Sequence, residues 1–74
     1  MTKKRQAGEL IKLVAKNIKY YRKRSKMTQE QLQEETGLYF PRYESGKNDM
    51  TLTTLGILSE HLNIEPYMLL IKIK

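Results

Sequence analysis

Few side chains in this 74-residue chain are of the types that carry out covalent chemistry. His61 is the only histidine, and the chain has no cysteine. A single imidazole on a helix has no second ligand for a metal ion, so no metal site is expected. It also lacks a nucleophile and an orienting group, because Ser59 and Glu60 are sequence neighbours that point in other directions. The sequence therefore predicts a protein that is not an enzyme and that uses no cofactor.

The remaining candidates are cationic and hydrogen-bonding side chains, which bind rather than react. Lys47 lies between Gly46 and Asn48 in an expected loop, and this arrangement suits contact with a phosphate group. The alternative is a lysine that complements the C-terminal end of a helix dipole. The net charge is +6, and residues 1–26 carry ten basic residues against one acidic residue. Such a cationic half attracts polyanions, nucleic acid first and anionic membrane second, or simply keeps a small protein soluble.

Length and hydropathy predict one small domain. No apolar run approaches the roughly 20 residues that cross a bilayer, so no membrane contact is expected. The N-terminus lacks the hydrophobic block of a signal peptide, and the expected location is the cytoplasm. Residues 1–6 are polar and basic with no apolar anchor, and we expect a flexible basic tail there. Residues 7–74 are expected to form the domain.

The segment from residue 28 to residue 47 contains the strongest signals of local structure. Thr28 can act as an N-cap, and Gln31 completes a Thr-x-x-Gln capping box. Helix two is therefore expected over residues 29–36, ending at Gly37, which tolerates the left-handed conformation. A short helix three is expected between Tyr39 and Ser45. A short helix, a glycine turn and a second short helix form a candidate helix-turn-helix, a motif that can place its second helix in the DNA major groove.

Helix one is expected from about Ala7 to Lys26, because apolar residues recur there with helical periodicity. Those residues are Leu10, Ile11, Val14, Ile18 and Tyr21. The lysines of this segment fall on the opposite side: Lys12, Lys16, Lys19, Lys23 and Lys26. A stripe that faces away from the core is more often a solvated face than a binding face.

The C-terminal third predicts two further helices. Thr51 is an N-cap for a fourth helix with apolar positions at Leu52, Leu55, Leu58 and Leu62, and Asn63 is its expected C-cap. Pro66 suits the first position of a fifth helix through Ile71. The fold class is therefore all-α with five helices.

Several short motifs occur in a characteristic order along most of this chain. They are Ile18-x-x-Tyr21-Arg22, Met27-Thr28-Gln29-x-x-Leu32, Gly37, Arg42-Tyr43-Glu44-Ser45-Gly46-Lys47, Thr51-Leu52-x-x-Leu55 and Leu62-Asn63-Ile64. The ordered set resembles the Cro/phage-repressor (XRE-like) helix-turn-helix family over roughly residues 14–70. This resemblance implies a lambda-repressor-like DNA-binding domain with the helix-turn-helix at helices two and three.

Two features depart from the family pattern. The family commonly has alanine where Gln33 stands, because helices two and three approach closely there. The interval from Gly37 to Glu44 is also about three residues shorter than usual, and the loss falls at the start of the helix that reads bases. Pro41 lies inside what remains, so helix three is expected to begin only near Phe40 or Pro41. The architecture should survive this loss, while the DNA-reading surface is changed or absent.

The resemblance implies a role for several residues. Arg22 and Glu44 match positions that often form an ion pair, with a phosphate contact by Arg22 as a secondary role. Gln29 resembles a residue that holds a backbone phosphate, although an ordinary solvated first-turn residue fits equally well. Arg42 matches the base-reading end of helix three, since arginine can bind guanine through two hydrogen bonds. Tyr39 could replace a lost reader, pack on sugar and phosphate, or fill space under the turn.

The resemblance predicts a sequence-specific double-stranded DNA-binding transcriptional regulator of the bacterial or phage type, acting as an operator-binding repressor. Such a regulator is expected in association with the nucleoid. The DNA-binding candidates are Gln29, Tyr39, Arg42, Lys47, Asn48 and Arg22. The alternative is a protein–protein interaction module of the same fold, of the antitoxin or anti-repressor kind, that has lost base readout.

A homodimer is also expected, because apolar residues crowd the C-terminal segment more than a small core needs. Those residues are Tyr67, Leu70, Ile71 and Ile73, and the competing view is that they cap the monomer core.

Overall fold

The computed structural model describes residues 7–73, which form helices and no strand. The α-helices are α1 (Ala7–Arg24), α2 (Gln29–Thr36), α3 (Phe40–Glu44) and α4 (Leu52–His61), followed by a 3₁₀ turn over Pro66–Leu69. The predicted flexible tail over residues 1–6 lies outside the described residues, as does position 74. The all-α prediction is therefore confirmed for the described part of the chain.

The core contains one apolar cluster to which every helix contributes. Its fully buried members include Ile18 of α1, Leu32 of α2, Phe40 of α3 and Leu58 of α4. Leu69 of the 3₁₀ turn is also fully buried and ties the C-terminal segment to the same cluster. Phe40 is the buried residue of α3 and anchors it in this cluster, because a helix this short has little stability of its own.

The helix ends follow local chemistry that can be identified in the sequence. The predicted capping box of α2 is confirmed: the Thr28 hydroxyl accepts a hydrogen bond from the Gln31 amide, and the Gln31 side chain accepts one from the Thr28 amide. Gly37 ends this helix in the left-handed region at φ 75°. Thr51 caps α4 as predicted. The C-cap of α4 is Leu62 rather than Asn63, which instead takes the left-handed conformation one residue later.

Three expectations from periodicity were wrong. Helix α1 ends at Arg24 rather than near Lys26, because Lys26 has a positive φ of 59° that no α-helix accommodates. Leu10 and Leu52 were expected in the core, but they are 51% and 85% exposed. Both lie in the first turns of their helices, so the apolar pattern continues beyond the turns that pack.

The predicted fifth α-helix is instead a single 3₁₀ turn that excludes Leu70 and Ile71. The amide of Leu70 donates to the carbonyl of Tyr67, which is the spacing of a 3₁₀ turn. The carbonyls of Leu69 and Ile71 accept hydrogen bonds from the side chain of Asn17 on α1. These long-range bonds fix the last residues as an irregular segment against α1 in place of a helix.

Candidate nucleic-acid interface

Helices α2 and α3 are joined by residues 37–39 and form a helix-turn-helix. Helix α3 has only five residues, with Tyr39 as its N-cap and Pro41 in its first turn. Amides in the first turn of a helix have no acceptor within the helix, so the missing amide hydrogen of proline costs nothing there. Pro41 therefore favours the start of α3 at this position. Gln33 on α2 is exposed, so its side chain does not pack between the two helices.

Arg22 of α1 and Glu44 of α3 form a two-point ion pair. Arg22 Nε donates to Glu44 Oε2 at 2.6 Å, and Arg22 Nη2 donates to Glu44 Oε1 at 3.0 Å. Arg22 Nη1 also donates to the carbonyl of Met27, just before α2. The side chains of Arg22 and Glu44 are only 11% and 5% exposed. The pair therefore joins α1, the start of α2 and the end of α3.

Gln29 belongs to the same cluster, because its Nε2 donates to Glu44 Oε1 at 3.0 Å. The hydrogen bond of Arg22 to Glu44 raises the pKa of the guanidinium above its ordinary value, against the opposing effect of burial, and the attraction of the Glu44 charge adds to the rise. The two side chains that the sequence suggested for phosphate contact at this place are thus engaged inside the protein. Their geometry fixes the orientation of α3 relative to α1 and α2.

Three other predicted residues lie on the surface. Tyr39 is 60% exposed, and Arg42 and Lys47 are also exposed. Arg42 lies about 200° around α3 from the buried Phe40, so its side chain projects away from the core. Within residues 7–73 it makes no side-chain hydrogen bond or ion pair. Its guanidinium therefore keeps all of its donors for an external partner.

The loop after α3 has a defined shape. The Ser45 hydroxyl donates to the carbonyl of Arg42 at 2.8 Å and accepts from the amide of Lys47 at 3.2 Å. Gly46 has a positive φ of 78°, which favours glycine. Asn48 is half-buried and points back towards Ser45, with a long 3.5 Å contact between the two side chains. Of the pair Lys47 and Asn48, only Lys47 is exposed.

The predicted C-terminal interface residues separate into two groups. Tyr67, Leu70 and Ile71 are exposed, whereas Ile73 is half-buried and packs against the core. Leu70 also lines an apolar groove of about 170 Å³ together with Leu10 and Leu52. Two helix N-termini and the C-terminal segment thus bring exposed apolar side chains together, although they are far apart in sequence.

Asn17 was not recognised from the sequence as important. It is buried at 1% exposure, and its Nδ2 donates to the carbonyls of Leu69 and Ile71 at 2.9 and 2.8 Å. It therefore holds the C-terminal segment that carries the exposed apolar residues. A polar residue amid the apolar stripe of α1 was the signal available, but the sequence does not indicate its partners.

No group of histidine, cysteine, aspartate or glutamate within residues 7–73 is arranged to hold a metal ion. His61 instead lies 3.2 Å from a Glu35 carboxylate oxygen, linking α4 to α2 at the surface. None of the helices formed by the described residues combines the length and the apolar character that a membrane span requires.

No protein-family model matches the chain, and no curated protein matches it. Among solved structures, the chain is similar to the crystal structure of the hypothetical transcription factor NHTF from Neisseria. The two share 21% sequence identity and superpose with a TM-score of 0.80, over 97% of this chain and 87% of that chain. At this identity the similarity shows a common fold, and the functional argument depends on the residues of this chain.

Proposed function

We propose that this chain is a sequence-specific double-stranded DNA-binding transcriptional regulator of the operator-binding repressor type, built on a lambda-repressor-like domain. The observation that carries the proposal is the position of Arg42. It is exposed on the side of α3 opposite Phe40, with no partner among residues 7–73. The side chains of a recognition helix that point away from the core are those that reach base edges in the major groove.

The surroundings of Arg42 support the same function. Tyr39 at the start of α3 and Lys47 just after its end are both exposed, so aromatic, base-reading and phosphate-binding chemistry occur along one short segment. The ion pair between Arg22 and Glu44 keeps α3 in a fixed orientation, as base readout requires. The chain also carries a net charge of +6, which favours binding to the phosphate backbone.

The length of α3 limits what can be read. Five residues make about one and a half turns, so few side chains can reach bases. We therefore expect a narrow sequence preference centred on a guanine, because arginine binds the O6 and N7 atoms of guanine through two hydrogen bonds.

Arg42→Ala is expected to weaken binding to the preferred duplex by about 1–3 kcal/mol and to leave binding to scrambled duplex nearly unchanged. The preferred duplex is obtained by selecting bound sequences from a random pool. Fluorescence anisotropy at one salt concentration then compares the two duplexes. Tyr39→Ala should weaken binding to both duplexes alike if the ring only touches sugar and phosphate.

Arg24→Ala is the matched control for Arg42→Ala, since Arg24 is an exposed arginine at the end of α1. It removes the same charge away from α3 and should not distinguish the two duplexes. Equal losses on both duplexes for Arg42→Ala would assign Arg42 to a phosphate contact, and the chain would lose its main candidate for base readout.

Two observations favour a second function, a protein–protein interaction module that has lost base readout. Helix α3 is short, and the exposed face of α2 carries Glu30 and Glu34, whose charges oppose a DNA phosphate. An antitoxin-like or anti-repressor-like module would use the same helices to bind a protein. Failure of the parent protein to bind any duplex would favour this function.

We also propose that the protein acts as a homodimer held partly by its C-terminal segment. Tyr67, Leu70 and Ile71 are 61%, 41% and 51% exposed, and Leu70 borders the groove formed with Leu10 and Leu52. A two-fold dimer would cover the same apolar surface on both copies. Ile73 would contribute through the packing of the segment rather than through direct contact, because it lies against the core.

Ile71→Glu is expected to convert a dimer into a monomer, because a charge in the centre of an apolar interface is costly to desolvate. Sedimentation velocity at tens of micromolar, with and without duplex DNA, measures the change. Ser25→Glu is the control, since it adds the same charge at an exposed turn. A parent protein that sediments only as a monomer in both conditions would mean that these side chains merely cap the monomer core.

A further inference from the structure

Lys12 lies beside the loop that carries Lys47, although the two residues are far apart in the sequence. A Cβ built on Gly46 would lie 3.5 Å from Cγ and 3.6 Å from Cα of Lys12, and 3.8 Å from Cβ of Ala15. The stem of Lys12 therefore runs along the glycine that precedes Lys47. Glycine is favoured at position 46 by its positive φ of 78° and not by lack of space, because these distances are those of ordinary van der Waals contact.

The flank of α1 that faces this loop is the flank that holds α3. Ala15 and Arg22 lie about 20° apart around α1, and Arg22 binds Glu44 at the end of α3. Lys12 lies about 80° from Arg22, towards solvent. Its side chain is exposed, and no carboxylate among residues 7–73 lies within ion-pair distance of its ammonium group. The ammonium group of Lys12 is therefore not neutralised by a carboxylate of the described fold.

We propose that Lys12 and Lys47 together form a two-lysine clamp for the phosphate backbone of duplex DNA, at the end of the shortened α3. The inference rests on the proposed DNA-binding function and adds α1 to the contact surface. The lysine face of α1 was expected to be solvated, and this proposal separates Lys12 from the other members of that face. The second cation supplies phosphate affinity beside a recognition helix that has few residues of its own.

The test uses random-sequence duplex DNA and the slope of log binding constant against log salt concentration. Lys12→Met keeps an unbranched apolar stem that can still cover Gly46 and removes only the charge. It is expected to reduce the magnitude of the slope by about 0.9, the amount that one lost phosphate contact removes. Lys47→Ala is expected to reduce the slope by the same amount, and the Lys12→Met/Lys47→Ala double variant should reduce it by about twice as much. Lys12→Arg keeps the charge and should keep the parent slope.

Lys72→Met is the matched control. Lys72 and Lys12 border the same shallow depression with Lys16, but Lys72 lies towards Asn17 and Tyr20, away from Gly46. Removing its charge changes the long-range field to a similar extent without touching the loop. Thermal unfolding of every variant checks that the fold is intact.

A slope for Lys12→Met equal to that of Lys72→Met, with parent binding intact, would overturn the clamp and leave the proposed function standing. A slope that is reduced in Lys12→Ala but not in Lys12→Met would show that the stem of Lys12 supports the loop and that its charge does not bind phosphate. That result also overturns the clamp. A parent protein that binds duplex DNA without any salt dependence, or not at all, would overturn both proposals.

Discussion

Glu44→Ala is expected to lower the free energy of unfolding by about 3–5 kcal/mol, because it leaves the charge of Arg22 buried without its partner. Arg22 and Glu44 share two hydrogen bonds, and their side chains are 11% and 5% exposed. The substitution also removes the acceptor of Gln29. A domain of this size has only about 5–15 kcal/mol of stability in total, so the variant should unfold at much lower denaturant concentration or not fold at all.

Urea unfolding followed by circular dichroism measures this effect. Glu34→Ala is the control, since it removes an exposed carboxylate from neighbouring α2. Arg22→Ala should also be destabilising, and the Arg22→Ala/Glu44→Ala double variant should lose less than the sum of the two single losses. A coupling energy indistinguishable from zero would show that the pair does not tie α3 to α1.

Asn17→Ala is expected to cost about 2–4 kcal/mol, because each carbonyl left without a donor in a buried place costs about 1–3 kcal/mol. Those carbonyls belong to Leu69 and Ile71, which the side chain of Asn17 holds against α1. The substitution should therefore increase the hydrogen-exchange rates of the amides in residues 69–73 more than those of the amides in α2. The unfolding free energy and the exchange rates are both measured on the parent protein and the variant.

Asn17→Asp separates hydrogen bonding from shape. The carboxylate has nearly the same volume as the amide but no N–H donor, so this variant should be at least as unstable as Asn17→Ala at neutral pH. Lys16→Ala, at the preceding exposed position, should change little. An Asn17→Asp variant with parent stability and parent exchange rates would mean that the C-terminal segment is held by the packing of Leu69 alone.

The parts of the fold that could be predicted are those controlled by neighbours in sequence. The capping box of Thr28 and Gln31 requires residues three positions apart, and the left-handed turn at Gly37 follows from glycine itself. The start of α3 near Pro41 follows from the fixed φ of proline. These local rules placed α2 and α3 correctly.

The parts that could not be predicted depend on long-range contacts. Asn17 and Ile71 are separated by 54 positions, and nothing near either residue indicates that they are bonded. The bonds they form replace the expected fifth helix with a 3₁₀ turn. Leu10 and Leu52 lie at positions expected from the apolar periodicity of their helices. Periodicity identifies the apolar face of a helix but does not show which of its turns pack against another element.

The candidate site also has a part that could be predicted from the sequence and a part that could not. Motif positions identified Arg22, Gln29, Arg42 and Lys47, but they could not show that Gln29 binds Glu44 or that Arg42 has no partner among the described residues. The approach of Lys12 to Gly46 depends on how α1 crosses the loop after α3. Helical periodicity placed Lys12 on a solvated face, because periodicity describes a helix alone and not the loop beside it.

The central claim, that this chain binds double-stranded DNA, is tested most directly by measuring the affinity of the parent protein for duplex DNA over a range of salt concentrations. The claim predicts that log binding constant falls linearly with log salt concentration, with a slope of about −0.9 for each phosphate contact. It also predicts tighter binding to a selected duplex than to its scrambled counterpart at every salt concentration. A slope near zero, or no measurable binding at low salt, would contradict the claim.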